Sequence, residues 1–179
     1  MKDSIVQLRL EEQRECDEVL GVAQRHLLGA HDQQLTNTKE HFLKTMAIIR
    51  AVRPDAIFTH GPNEKHRDHL ATHQLSVEAR WQGGEPVNTS VGEPHVTPHL
   101  YYYKNVFPGL PEIRVDVTAH WAARCRAYAT QKSQMAVFRK SVDAFLKEAA
   151  AHEANPQPEY ETFWIAPDTK MTGFLPKGL

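Results

Sequence analysis

The spacing of apolar residues along the chain predicts five helices. In the clearest of them, Phe42, Met46 and Ile49 share one stripe of a 3.6-residue period. Thr38 stands at the capping position of this helix, and Pro54 follows its end. Each predicted helix is long enough to bury one face against a neighbouring element. They cover residues 5–20, 38–52, 70–81, 119–130 and 134–151.

Short apolar runs between these helices predict strands. The run at 55–59 is typical of a parallel strand that is buried on both faces. Residues 82–98 must form a loop, because they contain several glycines, prolines and small polar residues. The predicted strands cover residues 22–28, 55–59, 100–103, 115–117 and 163–165. The alternation of helix and strand indicates a layered α/β fold, which we expect to be a single domain over residues 1–179.

The composition excludes several classes of protein. The chain has 179 residues, of which 41% are hydrophobic and 24% charged, as in ordinary globular proteins. A net charge of -1 offers no basic surface to nucleic acid or to an anionic membrane. No apolar run has the length of a membrane span and the start lacks the apolar core of a signal peptide, so the cytoplasm is the expected location. Cys16 and Cys125 are interpreted as buried small hydrophobic residues.

The chemistry of the chain is concentrated just after the strand predicted at 55–59. Four of the eleven histidines fall within fourteen residues there, namely His60, His66, His69 and His73. Histidine is a common zinc ligand, and His66 and His69 can converge on one site because they stand three residues apart at a helix start. Ligands of open α/β sheets bind beyond the carboxyl ends of strands, which is where this segment lies. The alternative is a solvated polar helix start without function.

The neighbouring residues leave further alternatives open. Asp68 either orients an imidazole or caps the helix that begins near His69. His73, one helical turn after His69, could pair with it around zinc, although a histidine on a helix face is the plainer interpretation. His60 ends the strand and is interpreted as a packing residue or as support for a ligand.

The segment from Arg53 to His69 closely resembles the fourth-strand motif of the LmbE-like or PIG-L deacetylases, zinc-dependent enzymes that act on N-acetylated amino sugars. The shared pattern is Pro-Asp, an apolar strand, Thr-His, a polar loop and His-x-Asp-His. The resemblance implies a Rossmann-like layered α/β/α sheet. Weaker matches follow in the family's order, at Arg9, Glu12, Cys16, Leu20-Gly21, Leu28, Asp32, Leu35, Val115-Asp116-Val117-Thr118, Arg124, Ala127, Gln131, Ser133-Gln134 and Glu161-Thr162-Phe163.

The resemblance also implies roles in catalysis. His69 matches a zinc ligand of the family, although a site of this kind can take other first-row divalent ions. His66 matches the histidine that stabilises the oxyanion or protonates the leaving amine. Asp68 belongs with His66 in the implied catalytic group.

The substrate side is less defined. By resemblance Asp32, and with it Arg9, would reach sugar hydroxyls, while the alternative for Arg9 is a surface ion pair with Glu12 on the same helix. The implied substrate is a small-molecule amino-sugar conjugate, selected by loops at 82–98 and 105–112. The sequence leaves open whether the chain forms a homo-oligomer.

One part of the family pattern has no counterpart. The family's first strand ends in Ala-His-Pro-Asp-Asp, and this chain is expected to start roughly forty residues into the pattern, without the first strands of the sheet. By resemblance that motif supplies two of three zinc ligands and the general base, so we expect a zinc-dependent N-deacetylase that is inactive or impaired in this form. Two alternatives stay open: a non-catalytic remnant or binding module completed by a partner chain, and a metalloenzyme that rebuilt its site from local histidines.

Overall fold

The computed structural model describes residues 2–167, with side chains from Ile5 onward. The described helices are α1 (Lys2–Leu20), α2 (Lys39–Val52), α3 (Arg67–Gly83), α4 (Trp121–Thr130), α5 (Met135–Phe138) and α6 (Val142–Ala154). The described strands are β1 (Ala56–Thr59), β2 (His99–Tyr102), β3 (Glu112–Asp116) and β4 (Tyr160–Ile165). Short 3₁₀ turns lie at Thr89–Val91, Thr118–His120 and Lys132–Gln134. Among residues 2–167, no helix combines the length and apolar character needed to cross a membrane.

The four described strands form one mixed sheet in the order β1-β2-β4-β3. β1 and β2 are parallel, with Ala56 opposite His99 and Thr59 opposite Tyr102, whereas β2 and β4 are antiparallel. Parallel pairing places the carboxyl ends of β1 and β2 side by side. β1 lies at the edge of the described sheet and Phe58 is 37% exposed, so the prediction of a strand buried on both faces is wrong. The predicted α/β class is confirmed.

The chain divides into two compact units. Among the described residues, one unit contains 2–25 together with 115–161, and the other contains 26–114 together with 162–167. In the first unit, α1 and α6 each pack against α4, where Cys125 is buried as predicted. Cys16 is only partly buried, and both thiols are free. A single domain over residues 1–179 stays a prediction.

In the second unit, α2 packs against α3 around an apolar core. The predicted boundaries of α2 are confirmed: Thr38 Oγ1 accepts a hydrogen bond from the His41 N–H at 3.2 Å, and Arg53 ends the helix in the left-handed conformation before Pro54. The predicted stripe is part of the core, which consists of Phe42, Met46, Ile49, Leu75 and Ala79.

The strand predicted at 22–28 is wrong. The Val22 N–H donates to the Asp17 carbonyl at 2.9 Å, and Arg25 Nε donates to the Asp17 carboxylate at 2.6 Å. Leu27, an apolar residue of this segment, is 60% exposed. The segment therefore folds back on the end of α1 instead of pairing in the sheet.

The helix predicted at 134–151 is interrupted. α5 ends at Arg139, which has a left-handed φ of 53°, and α6 begins after Ser141. The Ser141 hydroxyl accepts a hydrogen bond from the Ala144 N–H at 3.1 Å. Serine favours such a cap over a helix interior because its side chain competes for backbone groups.

Candidate functional site

Two loops meet beyond the carboxyl ends of β1 and β2. The Gly61 N–H donates to the Lys104 carbonyl at 3.0 Å, and the Asn63 N–H donates to the Asn105 carbonyl at 2.8 Å. A Cβ atom at position 61 would lie 2.3 Å from the Lys104 oxygen, so only glycine allows this approach. Asn105 has a left-handed φ of 55°, which asparagine adopts more readily than most residues. The backbones of the two loops therefore fix each other.

Glu64 lies where these loops meet, with a side chain that is only 7% exposed. Its Oε2 atom accepts a hydrogen bond from Asn105 Nδ2 at 2.7 Å, and its Oε1 atom accepts the Lys65 N–H at 3.0 Å. Oε2 also faces the Nδ1 atoms of His60 and His69, at 3.4 and 3.2 Å. Burial raises the pKa of Glu64, but the hydrogen bonds from Asn105 and Lys65 and the neighbouring His69 outweigh burial and lower this pKa to about 2.

His60 is a partly buried member of the cluster, with a side chain that is 14% exposed. Its ring stacks on His69 with 3.9 Å between centroids, and its Nε2 atom lies 2.7 Å from the Tyr103 hydroxyl. Burial and then the charge of His69 lower the pKa of His60 to about 4. Burial, helped by Glu64, raises the pKa of Tyr103 to about 12. Both rings are therefore neutral at physiological pH.

Together, His60, Glu64 and His69 can each offer one donor atom to a metal, and these atoms lie within 4.8 Å of one another. Zinc and other first-row divalent ions take imidazole nitrogen and carboxylate oxygen as ligands. By donor chemistry, the residues present fit the metal that the sequence pattern implies.

His66 and Asp68 hold the start of α3. His66 is the capping residue, because its Nδ1 atom accepts the Asp68 N–H at 3.2 Å, and its exposed ring stacks on His69 with 4.5 Å between centroids. Asp68 Oδ2 accepts the Gln33 N–H at 2.6 Å, while Oδ1 is buried without a hydrogen bond. The interpretation of Asp68 as the cap is wrong, since His66 has that position. Its carboxylate binds the turn at 31–34 instead of an imidazole.

His73 does not join the cluster. Its Nδ1 atom donates to the His60 carbonyl at 2.9 Å, and its ring lies 5.2 Å from that of Tyr102. The contact with the backbone and the packing against Tyr102 account for this histidine. This agrees with the interpretation of His73 as a histidine on a helix face.

The two residues predicted to bind substrate are both exposed. Asp32 lies in the turn beside Gln33, and Arg9 lies on α1 in the other compact unit. The alternative of a surface ion pair between Arg9 and Glu12 is wrong. Glu12 is 1% exposed, and its carboxylate accepts hydrogen bonds from the Ser133 N–H at 2.6 Å and the Ser133 hydroxyl at 2.7 Å.

Sequence reasoning missed Glu64 and Asn105 and did not connect Tyr103 to His60. A signal for Glu64 existed, because it is a carboxylate in the same polar loop as His60 and His66. No local signal pointed to Asn105, which reaches Glu64 only through the pairing of β1 with β2.

The fold and the site define a layered α/β protein with a polar, histidine-bearing centre beyond its parallel strand ends. Residues 1–80 match the sequence profile of the PIG-L family, described as GlcNAc-PI de-N-acetylase. The chain is 31% identical over 135 residues to the diacetylchitobiose deacetylase of Thermococcus kodakarensis, a match that covers 70% of this chain. It covers 49% of that relative, so the chain spans about half of the relative's length.

Solved structures share the fold. The conserved protein TT1542 from Thermus thermophilus is similar with a TM-score of 0.73 and 25% identity, over 97% of this chain and 78% of that one. The N,N'-diacetylchitobiose deacetylase from Pyrococcus horikoshii is similar with a TM-score of 0.69 and 23% identity, over 94% of this chain and 67% of that one. The match of residues 1–80 to the PIG-L family, also called LmbE-like, agrees with the resemblance carried by the segment from Arg53 to His69.

Proposed function

We propose that the chain is a metal-dependent amide hydrolase that removes the N-acetyl group from an amino sugar or its conjugate, with turnover impaired in this form. The observation that carries this proposal is the placement of His66 and His69 at the start of α3, beside the cluster around Glu64. The names of the relatives support the substrate class. One relative is a diacetylchitobiose deacetylase, and the matching family is described as GlcNAc-PI de-N-acetylase. A cytoplasmic location and self-association remain predictions.

In this proposal His69 holds a divalent ion, with zinc the expected one. When bound, the ion would polarise the acetyl carbonyl as a Lewis acid and make the attacking water more acidic. The ring of His69 stacks between those of His60 and His66, at 3.9 and 4.5 Å between centroids. This stacking limits the rotation of the ring and suits a ligand with a fixed direction.

His66 is proposed to donate a hydrogen bond to the carbonyl oxygen as charge develops there. Its Nδ1 atom accepts the Asp68 N–H, so in the neutral ring the proton must lie on Nε2. The ring is exposed, which leaves Nε2 accessible to a substrate. A donor directed at a developing oxyanion contributes roughly 10²–10³-fold to turnover.

Asp68 is proposed as a positioning residue for the substrate side. Its hydrogen bond with the Gln33 N–H ties the turn that carries Asp32 to the start of α3. The exposed carboxylate of Asp32 would accept hydrogen bonds from sugar hydroxyls, while a contact of Arg9 with the substrate stays a prediction.

The test is the release of free amine from N,N'-diacetylchitobiose by the zinc-loaded chain. His66→Asn keeps an acceptor for the Asp68 N–H and is expected to lower turnover roughly 100-fold while zinc binding stays. His26→Asn, at an exposed histidine outside the site, is the matched control. The proposal is rejected if the zinc-loaded wild type releases no amine or if His66→Asn keeps full turnover. Binding of the disaccharide without cleavage would favour the alternative of a non-catalytic binding module.

A further inference from the structure

The compact unit that contains α1 and α4 also contains a pocket of about 250 Å³. Leu20, the last residue of α1, is 52% exposed, so solvent reaches the pocket at this end of the helix. Concave surfaces that are largely apolar and carry few polar groups are typical of sites for small molecules. The walls come from α1, α4 and α5, and they consist mainly of Cys16, Leu20, Arg124, Ala127, Tyr128 and Phe138.

The aromatic wall of the pocket is held by its own packing. The ring of Tyr128 stacks on that of Phe145 with 5.3 Å between centroids. Phe138 meets both rings edge-on, at 5.2 Å from Tyr128 and 6.0 Å from Phe145. Because the three rings fix one another, the wall keeps its shape without a ligand, and a preformed site loses less conformational freedom on binding.

Arg124 brings a positive charge to this apolar pocket. Its guanidinium lies over the rings of Trp121 and Tyr128, at 4.4 and 5.1 Å from their centroids. Within the described chain its one ion pair joins Nε to Glu161 Oε1 at 3.0 Å, which leaves the two terminal amino groups as donors. The Glu161 side chain is 37% exposed, so water screens its charge. Paired donors of this kind match the two oxygens of a carboxylate.

We propose that this pocket binds a small carboxylate with an apolar tail. The carboxylate would accept hydrogen bonds from the terminal amino groups of Arg124, and the tail would pack against Leu20 and Phe138. A cavity of about 150 Å³ is enough for benzene. A pocket of about 250 Å³ therefore has room for one ring, or an aliphatic chain of similar size, together with its carboxylate. The inference does not rest on the hydrolysis proposed above.

Cys16 offers a direct measure of occupancy, because its partly buried thiol lines the pocket. Burial raises the pKa of this thiol, so its alkylation by iodoacetamide is best followed at mildly alkaline pH. Cys125, which is 1% exposed, is the internal reference that stays unmodified in the folded chain. The probe is phenylacetate, and mass spectrometry measures the rate of Cys16 alkylation at increasing concentrations.

Wild type is expected to show saturable protection of Cys16, half-complete at about 1 mM phenylacetate or below, as ordinary affinities per atom imply for a ligand of this size. A hydrogen bond to a charged group contributes at least about tenfold to binding. 2-Phenylethanol has the same ring without the charge, so it should protect at least about tenfold more weakly. This comparison uses wild type alone and does not depend on the folding of any variant.

Arg124→Met keeps an apolar stem and removes the charge, and it is expected to weaken phenylacetate binding at least about tenfold. Arg126→Met is the matched control: Arg126 lies on the same helix, is 41% exposed and pairs with Glu153 at 2.7 Å. Phenylacetate should raise the unfolding temperature of wild type and Arg126→Met more than that of Arg124→Met, whose ligand-free unfolding temperature reports its folding. Absence of protection in wild type, equal protection by 2-phenylethanol, or wild-type affinity in folded Arg124→Met would each overturn the inference.

Discussion

Replacing Arg50 by methionine would measure how the long loop between α3 and β2 is held. Arg50 lies on α2 and is 3% exposed. Its guanidinium donates to six backbone carbonyls at the end of α3 and in the following loop, at distances from 2.8 to 3.3 Å. These carbonyls belong to Gln82, Gly83, Glu85, Val87, Asn88 and Gly92. Four of these carbonyls, those of Gln82, Gly83, Glu85 and Asn88, also accept a backbone N–H. The carbonyls of Val87 and Gly92 therefore depend on Arg50 most.

The expected effect is large but smaller than six separate bonds would suggest. A hydrogen bond to a charged group contributes about 1.5–3 kcal/mol, but water can reach some of these carbonyls once the guanidinium is gone. A buried carbonyl left without a donor costs about 1–3 kcal/mol, and two of the six lose their donor, so we expect Arg50→Met to lower the free energy of unfolding by about 2–6 kcal/mol. Arg50→Lys should recover only a minor part, because an ammonium has three donors for six acceptors and no planar geometry.

Urea unfolding followed by circular dichroism provides the assay. Arg53→Met is the control: Arg53 is exposed and makes one 3.4 Å contact with the Pro94 carbonyl, so its loss is expected to change stability by less than about 0.5 kcal/mol. Amides of residues 82–92 should also exchange with solvent faster in Arg50→Met than in wild type. A destabilisation below about 1 kcal/mol, or one equal to that of Arg53→Met, would refute the reasoning, because water would then satisfy the loop as well as arginine does.

Three further predictions follow from single contacts. Gly61→Ala would place a Cβ atom 2.3 Å from the Lys104 oxygen and should cost about 1–3 kcal/mol in thermal unfolding; an unchanged unfolding temperature would mean that the loops separate freely. Glu12→Ala leaves the partly buried Ser133 N–H and hydroxyl without their acceptor and should cost about 1–3 kcal/mol in urea, whereas a neutral result would mean that water replaces the carboxylate. Because the folded pKa of His60 is about 4 and its ordinary value is 6.5, the metal-free chain should lose stability as pH falls between these values, since the unfolded chain binds the proton more readily. His60→Asn should reduce this loss in urea midpoints measured across that pH range, and an equally steep loss would contradict the assignment.

Sequence alone predicts the elements whose ends depend on neighbouring residues. α2 is an example, because Thr38, the apolar stripe and Pro54 all act within one segment of the chain. The motif from His66 to His69 is similarly local, since its function as a helix start follows from the strand before it and the helix after it. The interruption of the helix at Ser141 also depends on neighbouring residues. It was missed because the apolar residues on both sides of Ser141 fit one continuous helical period.

Features that join distant segments were beyond such reasoning. Asn105 reaches Glu64 across 41 residues, and only the parallel register of β1 and β2 brings them together. Ser133 reaches Glu12 across 121 residues, and this contact turns a position that reads as helix surface into a buried one. In both cases the sequence around the side chain does not indicate its partner. The two residues need each other only because the complete fold buries them and removes the water that would otherwise bind them.

The histidines show why their spacing could not assign their chemistry. His66 and His73 each use Nδ1 for the backbone, as an acceptor from an N–H and as a donor to a carbonyl respectively. His60 uses Nε2 for a hydroxyl, and its Nδ1 atom, like that of His69, has no hydrogen bond. The four histidines therefore differ in which ring nitrogen is available. This difference makes His66 a hydrogen-bond donor, His73 a packing residue, and His60 and His69 candidate metal ligands. A sequence pattern shows how many imidazoles are present. Only the fold determines which ring nitrogen of each imidazole has a free lone pair.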